Sequence, residues 1–370
     1  MNRKFLILGL IVQVIIGCNR NPEEITRFIN PNLKVDTINV CAENDTTIST
    51  NQGIIIEIPE NCFQYENGKE VSGNINILIQ EVKTSFDLLK GRLTTISGDQ
   101  IIQSSGMFNI IAVKDSQYLQ LNKGKQIRIS VPRQDSLKDW KLFKGKVNTQ
   151  NNSYNWNLLT NNISDTYMDI IIKPINSSTK RDFFESKVIV GLIDPNNRDT
   201  TIIKEYWSHT SLFQSEIERN SEIKEIFPYV DSSLNDLSNN SYHSFSITSL
   251  DWINIDRFLD DLEAEDIKLT AKIEGNERFD KACVNLVFLK RKIFLTSYED
   301  EDRNFYFSKE KKSIVRLPKG EDVLVFIECY KNNQCYYDLI KIKLESSNEI
   351  TFKPGKIESS ELNKIIEKEL

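Results

Sequence analysis

The residue types able to do chemistry are few in kind here: six cysteines and two histidines among 370 residues. Cys18 stands where apolar "VIIG" gives way to polar "NRNPEE", so its thiol is a core residue, half of a disulfide or a point of attachment. Of the other five, Cys41 and Cys62 close a loop, and Cys329 and Cys335 bracket the tight "CYKNNQC" turn. In an oxidising compartment these are the natural pairs, Cys283 being left over, and the longer closure contributes roughly 3 kcal/mol by loop entropy. The alternative is that all five stay reduced and pack as small hydrophobes. His209 and His243 lack metal-ligand spacing, and neither a nucleophile elbow nor a glycine-rich phosphate loop is present, so no metal and no cofactor is expected. "YEDEDR", Tyr298 to Arg303, offers oxygen ligands to calcium or is simply a solvated hairpin tip. Hydrolysis would need acids such as Glu57, Asp251 and Asp256 to meet in one deep cleft.

The N-terminus gives Cys18 its context. Arg3 and Lys4 precede an apolar run, Phe5 to Ile16, broken by Gly9 and Gln13. The run is shorter than the roughly 20 residues a membrane helix needs, so it reads as a secretion signal. Ile15-Ile16-Gly17-Cys18 resembles the bacterial lipobox, which implies that residues 1–17 are removed and that the Cys18 thiol carries lipid, palmitate included. The plainer reading is an ordinary cleaved signal followed by a chance cysteine. Residues 18–35, with two prolines and scattered charge, read as a tether to the bilayer. Glu23 and Glu24 resemble the acidic tags of outer-membrane lipoproteins in the Bacteroidetes. A net charge of −6 and no basic stripe exclude nucleic acid as a partner.

From Asp36 onward the elements are strands. "GIIIEIP" is a β-branched run stopped by Pro59, "NINILIQEV" alternates Ile75, Ile77 and Ile79, and "QIRISVP" alternates Ile127, Ile129 and Val131. The fold expected is mainly β: two antiparallel β-sandwich domains, 36–135 and an immunoglobulin-like 263–370, joined by a mixed segment, 136–262. That segment holds a hairpin over Leu142–Leu159 and a short helix over Leu212–Phe227. A short C-terminal helix carries Leu362, Ile365, Ile366 and Leu370 on one face, docked on the core.

"SSGMFNIIAV", with "IPENCF", the Thr94-Thr95 to Gly98 stretch and "LNKGKQIRISVP", resembles a sandwich of Bacteroidetes lipoproteins that is similar to the ankyrin and netrin-receptor domain used in protein contacts. "SLDWINIDRFL" resembles a Trp-x-Asn-x-Asp-Arg-Phe signature of the same lipoproteins, with Asp251 in place of Gly and Ile255 in place of Cys. Trp252, Asn254, Asp256 and Arg257 are thus the polar group to examine. Adjacent Asp and Arg on a strand point to opposite faces, so each needs its own partner. Either the cluster contacts a ligand, or it clamps a domain junction with Arg257 on carbonyls and Asp256 capping a turn. "YHSFS" resembles the His-Phe-Ser sequence at which some eukaryotic relatives of this sandwich cleave themselves, but Ser244 interrupts it. Thr37, Thr46, Ser136 and Thr200 follow aspartates in tripeptides that resemble Bacteroidetes O-glycosylation sites, Thr37 and Thr46 ranking first beside a strand edge. The expectation is a non-catalytic surface binding or scaffold protein of the cell envelope, lipid-anchored to the outer membrane, with a protein or glycan partner. The rival is a hydrolase or self-processing enzyme of the envelope.

Overall fold

The computed structural model describes residues 30, 32–133, 139–148, 153–161, 163–174, 186–193, 200–208, 241–259, 264–307 and 314–370. Cys18, Ser136, His209 and the helix expected over Leu212–Phe227 lie outside the described residues. The fold is mainly β, built from antiparallel sheets that pack as sandwiches, with a short C-terminal helix.

The first sandwich faces a nine-stranded sheet against a seven-stranded one. The main path of the larger sheet runs Asp36–Cys41, Asn74–Val82, Gln100–Lys114, Trp252–Phe258, Lys141–Asn148, Ser153–Thr160. The smaller sheet runs Thr200–Ser208, Ser186–Ile193, Ser164–Pro174, Ser241–Ile247, Ile127–Pro132, Ile55–Ile58, Thr46–Ser49. Period-two alternation makes the core between them. Ile75, Ile77 and Ile79 meet Ile56, Ile127, Ile129 and Phe245, each buried side chain contributing about 1.5–3 kcal/mol.

Glu265–Ile273 anchors the four-stranded sheet of the second sandwich, while Lys281–Phe288 and Asp322–Lys331 lie inside its five-stranded partner. Alternation again makes the core: Ile267 and Leu269 on one sheet meet Val284, Leu286, Val323 and Val325 on the other. One pairing departs from the antiparallel expectation, since Ser347–Phe352 lies parallel to Glu265–Ile273.

A third apolar layer joins the two. The outer face of the nine-stranded sheet, with Val82, Met107, Phe143, Trp156 and Trp252, packs against the outer face of the five-stranded sheet, with Val287, Leu324 and Phe326. The helix Ser85–Gly91 feeds Leu88 and Leu89 into this layer. Its start is fixed by a capping box between Thr84 and Asp87, and it stops at Arg92 in the left-handed region at φ 52°. The C-terminal helix Ser359–Glu369 adds Leu362 and Ile366, and Glu369 pairs with Lys341 at 2.8 Å.

Two expectations are corrected. Residues 136–262 do not form a junction between sandwiches, because their strands complete the first one. Trp252–Phe258 fits between two strands of the larger sheet, and Ser241–Ile247 between two of the smaller. The reason is the open ladder that Gln100–Lys114 and Ile127–Pro132 would otherwise present. The disulfides are not formed either, since Cys41, Cys62, Cys329 and Cys335 are all free thiols. Cys329 pairs with Tyr336 and Cys335 with Tyr330, so neighbouring positions of one hairpin send the two thiols to opposite faces. Cys329 accordingly lies in the second core and Cys335 in the shared layer. Cys62 is fully buried in the first core, whereas Cys41 donates to Glu43 at 3.0 Å.

Candidate functional site

The WINIDRF strand runs through the polar heart of the contact between sandwiches. Its Ile253 and Ile255 enter the first core, so alternation turns Trp252, Asn254 and Asp256 outward toward the second sandwich. Register shifts by one residue between Ile255, opposite Gly106, and Asp256, opposite Ser104. The extra residue is Ser105. Such a bulge re-aims the side chains beside it.

Asn254 and Asp256 are both 0% exposed. Asn254 Nδ2 donates to Asp256 Oδ2, and Ser104 Oγ donates to Asn254 Oδ1 at 2.9 Å. Burial pushes the Asp256 carboxyl well above the usual aspartate range, while its hydrogen bonds to Ser104 and Asn254 and the Lys292 charge act in the opposite sense. Asp256 lies within a strand and caps no turn, contrary to the clamp as first drawn.

On the other face, Arg257 Nη2 donates to Gln103 Oε1 at 2.9 Å, and Arg291 Nη1 donates to the same oxygen at 3.1 Å. Arg291 in turn holds Glu321 at 2.9 Å. A charged relay therefore passes from Glu321 and Arg291 of the second sandwich through Gln103 to Arg257 of the first. Lys292 Nζ donates to the Ser105 carbonyl at 3.0 Å, Thr95 N to the Phe294 carbonyl at 2.9 Å, and Arg92 pairs with Glu328 at 3.1 Å. Burial raises the Glu328 carboxyl while Arg92 pulls it down. Nothing in the sequence marked Gln103, Arg291 or Lys292, and Ser104 stood out only as the start of "SSGMFNIIAV", because their partners are far along the chain. The spacing of Thr84 and Asp87 is that of a capping box, a local signal from which the helix ending at Arg92 could have been found.

Trp252 belongs to an aromatic group rather than a ligand platform. It is 2% exposed and meets Tyr154 edge-on at 5.8 Å, and Tyr154 stacks on Trp156 at 6.0 Å. Trp156 Nε1 donates to the Thr94 carbonyl at 2.6 Å. Gly145 permits this closure, since a Cβ there would lie 2.9 Å from Trp252 Cβ and 3.0 Å from Trp156 Cζ3. The broad surface of Trp and Tyr that would mark a binding face is not built from Trp140, Trp156 or Trp252, all of which are buried.

The acids of the hydrolase reading stand apart. Glu57 lies on the seven-stranded sheet, 3.7 Å from Arg128. Asp251 holds Lys144 at 3.5 Å and accepts from Trp252 N at 2.9 Å. Asp256 is sealed on the far side of the nine-stranded sheet. His243 is 2% exposed beside Trp140, and strand alternation puts it on the face opposite to Ser244 and Ser246. In the acidic run, Asp300 accepts from Asn304 N at 2.8 Å and Arg303 holds Glu299 at 3.2 Å, which closes a turn. No cluster of three metal-ligating side chains occurs among the described residues.

A shallow groove of about 490 Å³ opens beside Glu57 and Arg128, lined also by Gln126, Ser164 and Ser246. Beneath it Ser244 shares hydrogen bonds with Ser130 at 2.6 Å and Thr166 at 2.7 Å, which fixes three hydroxyls across neighbouring strands. Thr37 is exposed on one edge strand, Asp36–Cys41, and Thr46, half-buried, donates to the Asn44 carbonyl on another, Thr46–Ser49. Thr200 opens a third edge strand. No family model matches this chain, and no curated protein or solved structure matches it either.

Proposed function

We propose that this chain is a lipid-anchored protein of the cell envelope that acts as a non-catalytic binding or scaffold body. The observation that carries the reading is where the polar side chains go. Gln103, Arg291 and Arg92 are engaged in holding two sandwiches as one unit, Asn254, Asp256 and Arg257 are tied into hydrogen bonds within the first, and Glu57, Asp251 and Asp256 lie apart. A body of this kind presents fixed surfaces at the end of a tether. The polar groove at Glu57 and Arg128 is the natural face for a protein or glycan partner.

The anchor rests on the basic, apolar and Ile-Ile-Gly-Cys order of the N-terminus, and the chain enters the described structure near the outer face of the large sheet. There Asn30 N donates to Gln80 at 2.9 Å and Asn30 Nδ2 to the Gly91 carbonyl at 2.7 Å. Labelling with an alkyne fatty acid should mark the wild type and leave Cys18→Ser unmarked. Equal labelling of both removes the anchor from the reading. Crosslinking from intact membranes should then trap a partner through residues introduced beside Arg128, and a turnover assay that instead tracks Glu57 and Asp251 would replace binding by hydrolysis.

A further inference from the structure

We infer that the open end of the first sandwich, at Glu81, Gln52 and Ser105, takes two adjacent hydroxyls of a neutral pyranose sugar. A cavity of about 30 Å³ lies there, lined from both sheets. Glu81 comes from Asn74–Val82, and Ser105 and Gly106 from the bulged part of Gln100–Lys114. Pro132 ends its strand in the opposite sheet, and Gln52 belongs to the turn that joins Thr46–Ser49 to Ile55–Ile58. Alternation carries the inward row Ile75, Ile77 and Ile79 on to Glu81, so a carboxyl stands where a further isoleucine would have closed the core.

Four polar atoms of this lining find no hydrogen-bond partner within the protein. They are both carboxyl oxygens of Glu81, Gln52 Oε1 and Ser105 Oγ, all of them buried, and Ser105 as a residue is 4% exposed. Thr50 acts on the Glu81 carboxyl without reaching it in hydrogen-bonding geometry, and its Oγ1 already accepts from Gln52 N at 3.3 Å and Ile54 N at 3.1 Å. Lys83 is engaged elsewhere, its Nζ donating to the Gln52 carbonyl at 3.5 Å. Buried acceptors without donors are costly, so the site selects an occupant that brings donors.

Charge, size and lining narrow the choice. Lys83 and Lys34 offset Glu81 and Asp36, so a metal ion or an ammonium group would leave an unbalanced charge in a part-buried site. A hydroxyl donates without adding charge. Burial lifts the Glu81 carboxyl, and donors on its oxygens favour the charged form that burial penalises. The cavity has room for about two water-sized groups, which suits two neighbouring hydroxyls, and the remaining Lys83 protons serve their oxygens from the rim. A Cβ at Gly106 would meet nothing within 4 Å, so no side chain closes over it, while Ile54, Met107 and Pro132 supply an apolar wall for the C–H face of a ring. The site shares no lining residue with the groove at Glu57 and Arg128, and it stands whether or not that groove binds.

The test is saturation-transfer NMR on the full mature chain, with the methyl glycosides of glucose, galactose and mannose as probes. At least one should bind the wild type, and about tenfold or more weakly to Glu81→Gln and to Gly106→Val, which fills the cavity. Arg128→Ala, in the other groove, should bind as the wild type does. A variant loses binding if it loses its fold, so the deciding arm uses the wild type alone. Two monodeoxy analogues of the bound glycoside, lacking neighbouring hydroxyls, should each bind about tenfold more weakly. No transfer from any of the three glycosides overturns the inference and leaves water as the occupant. So do deoxy analogues that bind equally well, or affinity that survives Glu81→Gln and Gly106→Val. Loss of binding in a folded Arg128→Ala moves the sugar to the groove and overturns it too. A thermal midpoint that rises with sodium or calcium chloride in the wild type but not in Glu81→Gln makes the occupant a cation instead.

Discussion

Trp252–Phe258 and Asp322–Lys331 are inner strands of their sheets, and both are buried on two faces, yet they solve burial differently. The second strand is apolar on its core side and mostly so on the other: Val323, Val325 and Ile327 enter its own core, while Leu324 and Phe326 enter the shared layer beside Glu328, which Arg92 pairs at 3.1 Å. The first places Ile253 and Ile255 inside, but turns Asn254 and Asp256 outward into the same layer. Both strands are paired to a neighbour on each side. What differs is the side-chain demand. An apolar face asks only for volume, so many partners will serve. A buried amide or carboxyl asks for specific atoms, and Ser104 and Gln103 supply them only in this register. A slip of one residue would drive Asn254 and Asp256 into the isoleucine core. The polar strand is therefore the one whose own register is most strictly fixed.

The apolar half of the comparison should show the largest effect. Phe326, 0% exposed, should cost about 3–5 kcal/mol on change to Ala, read from the urea midpoint. A loss under about 1 kcal/mol would mean that the shared layer collapses around the gap, and volume would no longer explain that strand.

The polar half is sharpened by Gln103→Leu, which preserves bulk but removes the oxygen shared by Arg257 and Arg291. The expected loss is about 1.5–3 kcal/mol, with faster limited proteolysis beside Trp252–Phe258. An unchanged cleavage pattern would show that the apolar layer alone sets the orientation.

The smallest effect concerns Glu81, which burial lifts above the usual value of 4.5 while Thr50 and Lys83 pull it down. A carboxyl raised in the folded state gives stability that is full below 4.5 and lost as pH rises through the folded value. The thermal midpoint of wild type should fall as pH rises above 4.5, and Glu81→Gln should fall less. Equal slopes would assign the pH dependence to other buried acids, Glu328 among them.

Local pattern carried much of the architecture. The runs at Ile55, Ile75 and Ile127 were legible because a half-buried strand writes its period into its own residues. The hairpin over Lys141–Thr160 was legible for the same reason, with Gly145 opposite Trp156. The role of WINIDRF was not. Its neighbours in the sheet start at Gln100 and Lys141, and no local period names a partner so far away in sequence. Cys329 and Cys335 misled for a related reason, because spacing records distance along the chain and says nothing of which face a thiol occupies.

By itself, then, the sequence determined strand periodicity, the N-terminal order around Cys18 and the pairing needs of Asn254, Asp256 and Arg257, all properties of neighbouring residues. Tertiary structure alone decided that Ser104, Gln103, Arg291 and Lys292 meet those needs, that a strand from residue 252 completes a sheet begun at residue 36, and that two sandwiches share one apolar layer. The reason is that side-chain alternation is fixed within a few residues of backbone, whereas long-range pairing follows from the free energy of closing every exposed ladder and covering every apolar face at once.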